Sequence, residues 1–426
     1  MNDQNLSDSE LLNTDRFPVS DPVSPELRFL LAESCGFPTA QQDQAVFSIL
    51  KNPFRCGLLA DLACRNGLCP LLAKNLKRLK LTDSRFLPVL NCAETGKYLC
   101  VLLSAELAGI FRLFQENGIR ALALKGPLLA RQLYGAVSLR SYTDLDIYVD
   151  PARYMEARDL LIQKGYHPSD HIETQKQLRY TMGNPIFHHT DLAKGTVCIE
   201  LHWKSLDLEP VSFESLYQRR RADQLCGTEV ACLAPADCFC LLLRHGVHHG
   251  FSQLKWIMDL YELLQKADST LLRQVCRLLS ESGSLYSLYT FLLLADRLCL
   301  IPLQKQDCTE TEILKADDGS VLLKAPLNGD AFAAAKQLCD AAFRSITEPD
   351  SDRNRNGKRS YDLLYRKLRY RLGLADRKTE FFKLISPGSQ DFALIRLPDP
   401  LFFLYYPLRL WYWLCHRLRS LRSSRG

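Results

Sequence analysis

The chain has 426 residues, of which 47% are hydrophobic and 24% charged, with a formal net charge of +6. This is an ordinary globular balance, long enough for two or three domains and for a sizeable buried core. The mild charge permits an anionic ligand but lacks the basic excess that would demand nucleic acid.

Sixteen cysteines are present. They are scattered singly through apolar helical stretches, as at Cys100, Cys276, Cys299 and Cys339, and no C-x-x-C pair occurs. Free thiols acting as small hydrophobes are expected, in a reducing cytoplasm, rather than a disulfide framework. The opening MNDQNLSDSELLNTD is polar and acidic with no apolar core, so no secretory signal is expected.

In chain order, residues 1–22 are polar and expected to be disordered. An N-terminal helical region follows over 23–117, with Leu, Phe and Ala at three- and four-residue intervals. It ends in one long amphipathic helix from Leu90 to Asn117-Gly118. Residues 118–235 change character and predict an α/β core. Ile119–Leu124 is a compact apolar run that reads as a buried strand. Lys125-Gly126-Pro127 breaks it, and Leu128–Tyr134 reads as a helix with Pro127 in its first turn. Asp144–Asp150 alternates as a second strand, and Met155–Lys164 is helical. Ile186–His189 and Thr196–Trp203 read as paired strands joined through Lys194-Gly195. Residues 236–344 predict a helical region and 345–359 (SITEPDSDRNRNGKR) a polar linker. The last part, 360–426, is a basic and aromatic helical segment. Its Leu401–Cys415 stretch is shorter than the roughly 20 residues of a membrane span and is interrupted by Pro407 and Arg409. Trp411 and Trp413 beside Arg417 and Arg419 make a peripheral membrane contact a further expectation.

The chemistry centres on Asp144-Leu145-Asp146-Ile147. Strand side chains alternate, so Asp144 and Asp146 share one face while Leu145 and Ile147 share the other. Ionising two adjacent carboxylates is costly unless a cation sits between them, and Mg²⁺ (or Mn²⁺) is the natural hard cation. D-x-D alone reads equally as a solvated strand face. Here a strand, Lys125-Gly126 and a helix precede it. The glycine lets backbone approach a ligand, the helix N-terminus offers free N–H groups to a phosphate, and Lys125 adds a mobile cation. Arg140 lies just before the carboxylate strand. For Lys125 and Arg140 the plain alternative is surface solvation or ordinary ion pairing. In Thr196–Trp203, Glu200 and His202 share a face opposite Ile199, Leu201 and Trp203. Glu200 would be a third acid, suited to metal ligation or general-base work.

These residues carry a family likeness. The stretch ALKGPLLARQLYGAVSLRSYTDLDIYV, then IELHW, then LAPADCFCLLLRHGVHHGFSQLKWIMDLYELL, and finally QDFALIRLPDPLFFLYYPLRL resemble an uncharacterised nucleotidyltransferase family related to the minimal nucleotidyltransferases and DNA polymerase β. The likeness covers Leu122 to Leu410 in patches. It implies an α+β fold, with a small mixed sheet of polymerase-β type embedded between helical regions. It also implies Mg²⁺-dependent transfer of a nucleotidyl group from an NTP, with the acceptor a small molecule, a protein hydroxyl or an RNA end. Asp144, Asp146 and Glu200 match the family's catalytic metal-binding acids, and Gly126 stands where the superfamily has a glycine–serine phosphate turn. Two departures stand out: no serine follows Gly126, and the distance to D-x-D is longer than in the minimal enzymes. Lys125, Gly126 and Arg140 are the nucleotide-binding candidates. The rivals in other classes are a degenerate nucleotide-binding scaffold and a membrane-surface interaction protein.

Histidines complete the inventory. His188, His189 and His202 raise the question of zinc, but no cysteine pair or H-x₃-H spacing accompanies them. His202 is expected to orient a carboxylate or substrate. His245 and His249 are four apart on a helix and share a face. The stretch Ala236–Lys266, with Lys255, is expected to pack beside the sheet and wall the pocket holding Asp144, with Leu241, Leu242, Ile257 and Leu260 facing inward.

Overall fold

The computed structural model describes residues 23–36, 38–170, 172, 174–183, 188–316, 318–347, 353–374 and 385–412. The segment expected to be disordered, the strand start at Ile186 and the tail arginines lie outside the described residues.

Helices α1 (Pro25–Glu33), α2 (Ala40–Leu50), α3 (Cys56–Arg65) and α4 (Cys69–Arg78) form the N-terminal region. Ser24 caps α1 through Leu27 N–H, and Thr39 with Gln42 forms a capping box on α2. Helix α5 runs from Leu87 to Glu116. With the short turn before it, α5 is long and apolar enough to cross a membrane by length and composition. Its Leu103, Leu107, Phe111 and Phe114, at helical spacing, are instead buried in a core shared with the sheet.

The sheet has seven strands in the order β3-β4-β5-β2-β1-β7-β6. They are β1 (Ala121–Ala123), β2 (Asp144–Val149), β3 (His167–Pro168), β4 (His189–Lys194), β5 (Val197–His202), β6 (Arg221–Leu225) and β7 (Thr228–Cys232). Pairings β2–β5 and β1–β7 are parallel and the others antiparallel. The expectation of a small sheet is corrected. The β6–β7 hairpin, turning through Cys226-Gly227, adds an edge that Arg-Ala-Asp-Gln-Leu does not announce. An edge strand with one wet face needs little apolar alternation.

Helices α6 (Pro127–Tyr134), α7 (Tyr154–Gln163), α8 (Gln175–Gly183) and α9 (Phe213–Gln218) interleave with the strands. Both faces of the sheet are covered. Leu145, Ile147, Val149, Ile199 and Leu201 face the α5 side, whereas Leu122 and Tyr148 join a second core. That core is built largely by α10 (Pro235–His248), α11 (Leu254–Lys266), α12 (Ser269–Glu281) and α13 (Leu285–Arg297).

Two expectations about the C-terminal half also change. Residues 236–344 are not all helical: β8 (Leu303–Asp307), β9 (Glu312–Lys315) and β10 (Val321–Ala325) form a separate three-stranded sheet before α14 (Asp330–Thr347). LQKQD carries almost no hydrophobic alternation, and VLLKA of β10, where burial alternates but the sequence does not, is too short to outweigh the helices around it. The expected linker is in part helix, since α15 spans Arg353–Arg371. Arg and Lys are good helix formers, so polarity there does not mean loop. Tyr361 of α15 donates its hydroxyl to Val247 O (2.6 Å), fastening it to the end of α10. Farther on, Phe392, Phe402 and Tyr405 join the α5-side core and pack near Tyr180 of α8, while Phe403 and Trp411 stay exposed.

Candidate active site

The parallel register of β2 on β5 sets Asp146 opposite Glu200 and Tyr148 opposite His202. The antiparallel register of β4 on β5 then sets Asp191 opposite Glu200 and His189 opposite His202. Partners across a ladder share a face, so these acids and histidines form a row across the strands. Ligand atoms of Asp146, Glu200 and His202 lie within 4.8 Å of one another, as do those of His188, His189 and His202 and those of His189, Asp191 and Glu200. Strand pairing thus brings together the three histidines that raised the question of zinc. Asp144 lines the same cleft and sits in the repulsive field of Asp146 and Glu200.

Turn and helix geometry supply the opposite wall. Gly126 is the N-cap of α6, at φ +74° and ψ −135°, with no side-chain cap. That positive φ is glycine's region, and the residue lies near Leu145 and Asp144 O, against β2. The cleft has a volume of about 440 Å³, and Lys125, Gly126, Asp144, Asp146, Glu200 and His202 face it. His245, His248 and His249 from the end of α10, with Lys255 and Trp256 from α11, form the far wall. Leu242, Ile257 and Leu260 are buried, and Leu241, also buried, lines the cleft. The His245 ring packs edge-on to Trp256 at 5.0 Å between centroids and lies 4.6 Å from His249.

The charges are tightly partnered. Lys125 Nζ lies 3.2 Å from Asp146 Oδ1, both side chains largely buried. Lys125 is therefore not the mobile cation expected: a buried ammonium must be paired, and the acid strand provides the pair. Burial opposes ionisation of Asp146, but Lys125 and His202 outweigh it and hold the carboxyl well below the usual range. Burial and the charges of Asp146 and Glu200 push Asp144 the other way, up. His202 Nε2 lies 3.6 Å from Asp146 Oδ1 and 3.4 Å from Glu200 Oε2. Neither ring nitrogen of this buried histidine has a hydrogen-bond partner among the described residues. Burial works against its protonation, yet the two carboxylates raise its pKa.

Arg140 also reaches the cleft, but its Nε binds Asp259 Oδ2 at 2.9 Å, with both side chains buried. Tyr134 donates to the other oxygen of Asp259 at 2.9 Å. This pair ties the lead into β2 to α11 and uses an edge of the guanidinium expected for phosphate. Two residues at the site, of which one lines the cleft, escaped the sequence reading as site groups. Asp207, in the short turn Leu206–Leu208, meets His245 Nδ1 at 3.2 Å and His248 Nδ1 at 3.7 Å. Nothing in Lys-Ser-Leu-Asp-Leu marks it, because its partners lie on α10. Asp191 was hidden in the same way, and β4 register alone brings it to Glu200.

The arrangement can hold a divalent cation among carboxylates and an imidazole, and can present backbone N–H groups and buried cations to an anion. No curated protein and no solved structure matches the chain. A family model described as an uncharacterised nucleotidyltransferase matches residues 52–299, which is more than half of the chain and contains the cleft residues named above. The chain belongs to this uncharacterised nucleotidyltransferase family.

Proposed function

We propose that the chain transfers a nucleotidyl group from an NTP to an acceptor with the help of a divalent cation, using a site of the polymerase-β type. The observation that carries this reading is the convergence of Asp146, Glu200 and His202, with Asp144 on the same strand face, beside the uncapped start of α6. Asp144, Asp146 and Glu200 would hold the cation. The donor set fits: carboxylates suit Mg²⁺ or Mn²⁺, and buried His202 turns Nε2 toward two of them, Asp146 and Glu200. When bound, such a cation supplies positive charge for the triphosphate and the leaving pyrophosphate.

The chain's own groups divide the remaining tasks. The Gly126 turn and first-turn N–H groups of α6 would seat phosphate oxygens. Lys255, facing the cleft from α11, would add charge to that seat. His245 is positioned by Asp207, and burial and the Lys125 charge lower its pKa, which favours the neutral imidazole. A neutral, oriented imidazole can accept a proton from an acceptor hydroxyl. The acceptor belongs to the space between the α10 histidines and β5.

The test is pyrophosphate release by the full chain, with each NTP in turn and Mg²⁺ or Mn²⁺, in the presence of cell extract as acceptor source. Release that needs the metal and vanishes in Glu200→Gln supports transfer. The buried Lys125–Asp146 pair favours a second reading, a nucleotide-binding scaffold in which the lysine permanently neutralises the acid. Tight NTP binding without pyrophosphate release from any NTP or extract would select the scaffold.

A further inference from the structure

Away from the cleft, three cysteines from three helices meet. Cys64 lies at the end of α3, Cys69 begins α4 and Cys92 lies in the first turns of α5. Their sulfurs all lie within 4.8 Å of one another, and Cys64 Sγ is 3.2 Å from Cys69 Sγ. Cys69 is buried, Cys92 half-buried and Cys64 exposed, so the cluster has an inner floor and an open mouth. No other described cysteines form such a group.

We propose that Cys64, Cys69 and Cys92 form a three-thiolate site for a thiophilic d¹⁰ cation of the Zn²⁺ class. Zn–S bonds of about 2.3 Å in a tetrahedron place sulfurs about 3.8 Å apart, within the spread this trio already shows. The fourth position opens at the Cys64 mouth, where water can enter. Cys69 is the first residue of α4, and burial with the two neighbouring thiols raises its pKa, so its proton leaves as the cation binds and not before. On binding, each thiol gives its proton to solvent and its sulfur lone pair to the cation, with no change of oxidation state. A Cys64–Cys69 disulfide would instead need an external oxidant and would leave Cys92 without a role.

The site also bears on the cleft. The turn joining Cys64 to Cys69 holds the start of α11. Leu254 N–H donates to Asn66 Oδ1 at 3.0 Å, and Lys255 N–H donates to Asn66 O at 3.3 Å. Fixing both ends of that turn fixes the backbone that carries Lys255 and Trp256.

The test uses the full chain, stripped with chelator under a non-thiol reductant and titrated with Co²⁺. The expected result is an intense near-ultraviolet sulfur-to-cobalt band that saturates at one equivalent and is displaced by Zn²⁺. Cys64→Ser and Cys92→Ser, both at positions open enough to be tolerated, should each weaken binding by more than the roughly 10- to 100-fold typical of losing an outer partner. Glu200→Gln should leave the band in place, which separates this site from any metal bound in the cleft. No sulfur-to-cobalt band from folded protein would overturn the proposal. So would a band that survives both serine variants, or a mass loss of two hydrogens linking Cys64 to Cys69 in protein that takes up no cation.

Discussion

Lys255 offers the sharpest test of how the cleft is built. Its Nζ donates to Ser141 O at 3.3 Å, and its stem lies on Gly67, where an added Cβ would stand 2.9 Å from Lys255 Cδ. Burial, then the neighbouring Arg140 charge, push its pKa down from the usual 10.5 to about 8. At about 1.36 kcal/mol per unit, holding this ammonium charged at neutral pH costs the fold about 3 kcal/mol. Lys255→Met keeps most of the stem, removes the charge and forfeits one hydrogen bond worth about 1 kcal/mol. The variant should therefore be about 1–2 kcal/mol more stable at pH 7, after allowance for the screening of a partly open site. The folded pKa is depressed, so the unfolded chain binds more protons between pH 8 and 10.5. Wild-type stability should accordingly gain on the variant as pH rises through that window. Urea unfolding of both proteins at pH 7, 8, 9 and 10 measures the difference directly. In parallel, the wild type should gain thermal stability from triphosphate and the variant much less. A variant no more stable at pH 7, with a pH-independent difference, would refute this account of Lys255.

The acids and histidines give further outcomes. Asp146→Asn leaves Lys125 buried without its counter-charge and should cost about 3–5 kcal/mol in urea unfolding, most of it recovered in Lys125→Met/Asp146→Asn. Glu200→Gln changes a more exposed group and should alter stability by less than about 1 kcal/mol while removing metal-dependent pyrophosphate release. Burial and the neighbouring His245 and His248 hold His249 at about 3, so it stays neutral when folded while the unfolded chain protonates it below about 6.5. Stability should therefore fall as pH drops from 6.5 towards 3, and less steeply in His249→Phe, as acid titration followed by circular dichroism would show. Replacing His245 and His249 together by Ala should lower turnover or nucleotide affinity, and unchanged kinetics would move the acceptor site away from α10.

What the sequence discloses here follows the range of the interactions. The common face of Asp144 and Asp146 follows from strand period alone. The buried run before Gly126, the helix opening with Pro127 and the long helix before β1 likewise follow from local pattern. Glu200 could be named from its strand, but its place opposite Asp146 depends on a parallel pairing between residues 54 positions apart in the chain. Lys125 takes the ion-pair alternative that its sequence left open, because pairing and burial, not residue type, decide whether a lysine is mobile. Asp207, Asp191 and the Cys64–Cys69–Cys92 group carry no local signal, since each is completed by residues on another element. The polar strands β6 and β8 failed the alternation test because each presents mostly exposed side chains.

The electrostatics of the cleft bear on what should occupy it. Asp146 is satisfied by Lys125, and Asp207 is held low, against burial, by His245 and His248. Besides the histidines of α10, two groups are left strained in opposite senses. Burial and the surrounding carboxylates raise Asp144, whereas burial and Arg140 lower Lys255. A lone cation would relieve Asp144 and worsen Lys255, and a lone anion would do the reverse. A ligand carrying both charges, separated by a few ångströms, relieves both. A divalent cation chelated by a triphosphate is such a ligand, with the cation facing β2 and the phosphates facing α6 and α11. On the proposed function, the same reasoning predicts cooperative binding of metal and NTP: each should bind more tightly in the presence of the other, by equal factors. Asp144→Asn should weaken that coupling and Lys255→Met should weaken it too, although the two residues stand on opposite walls.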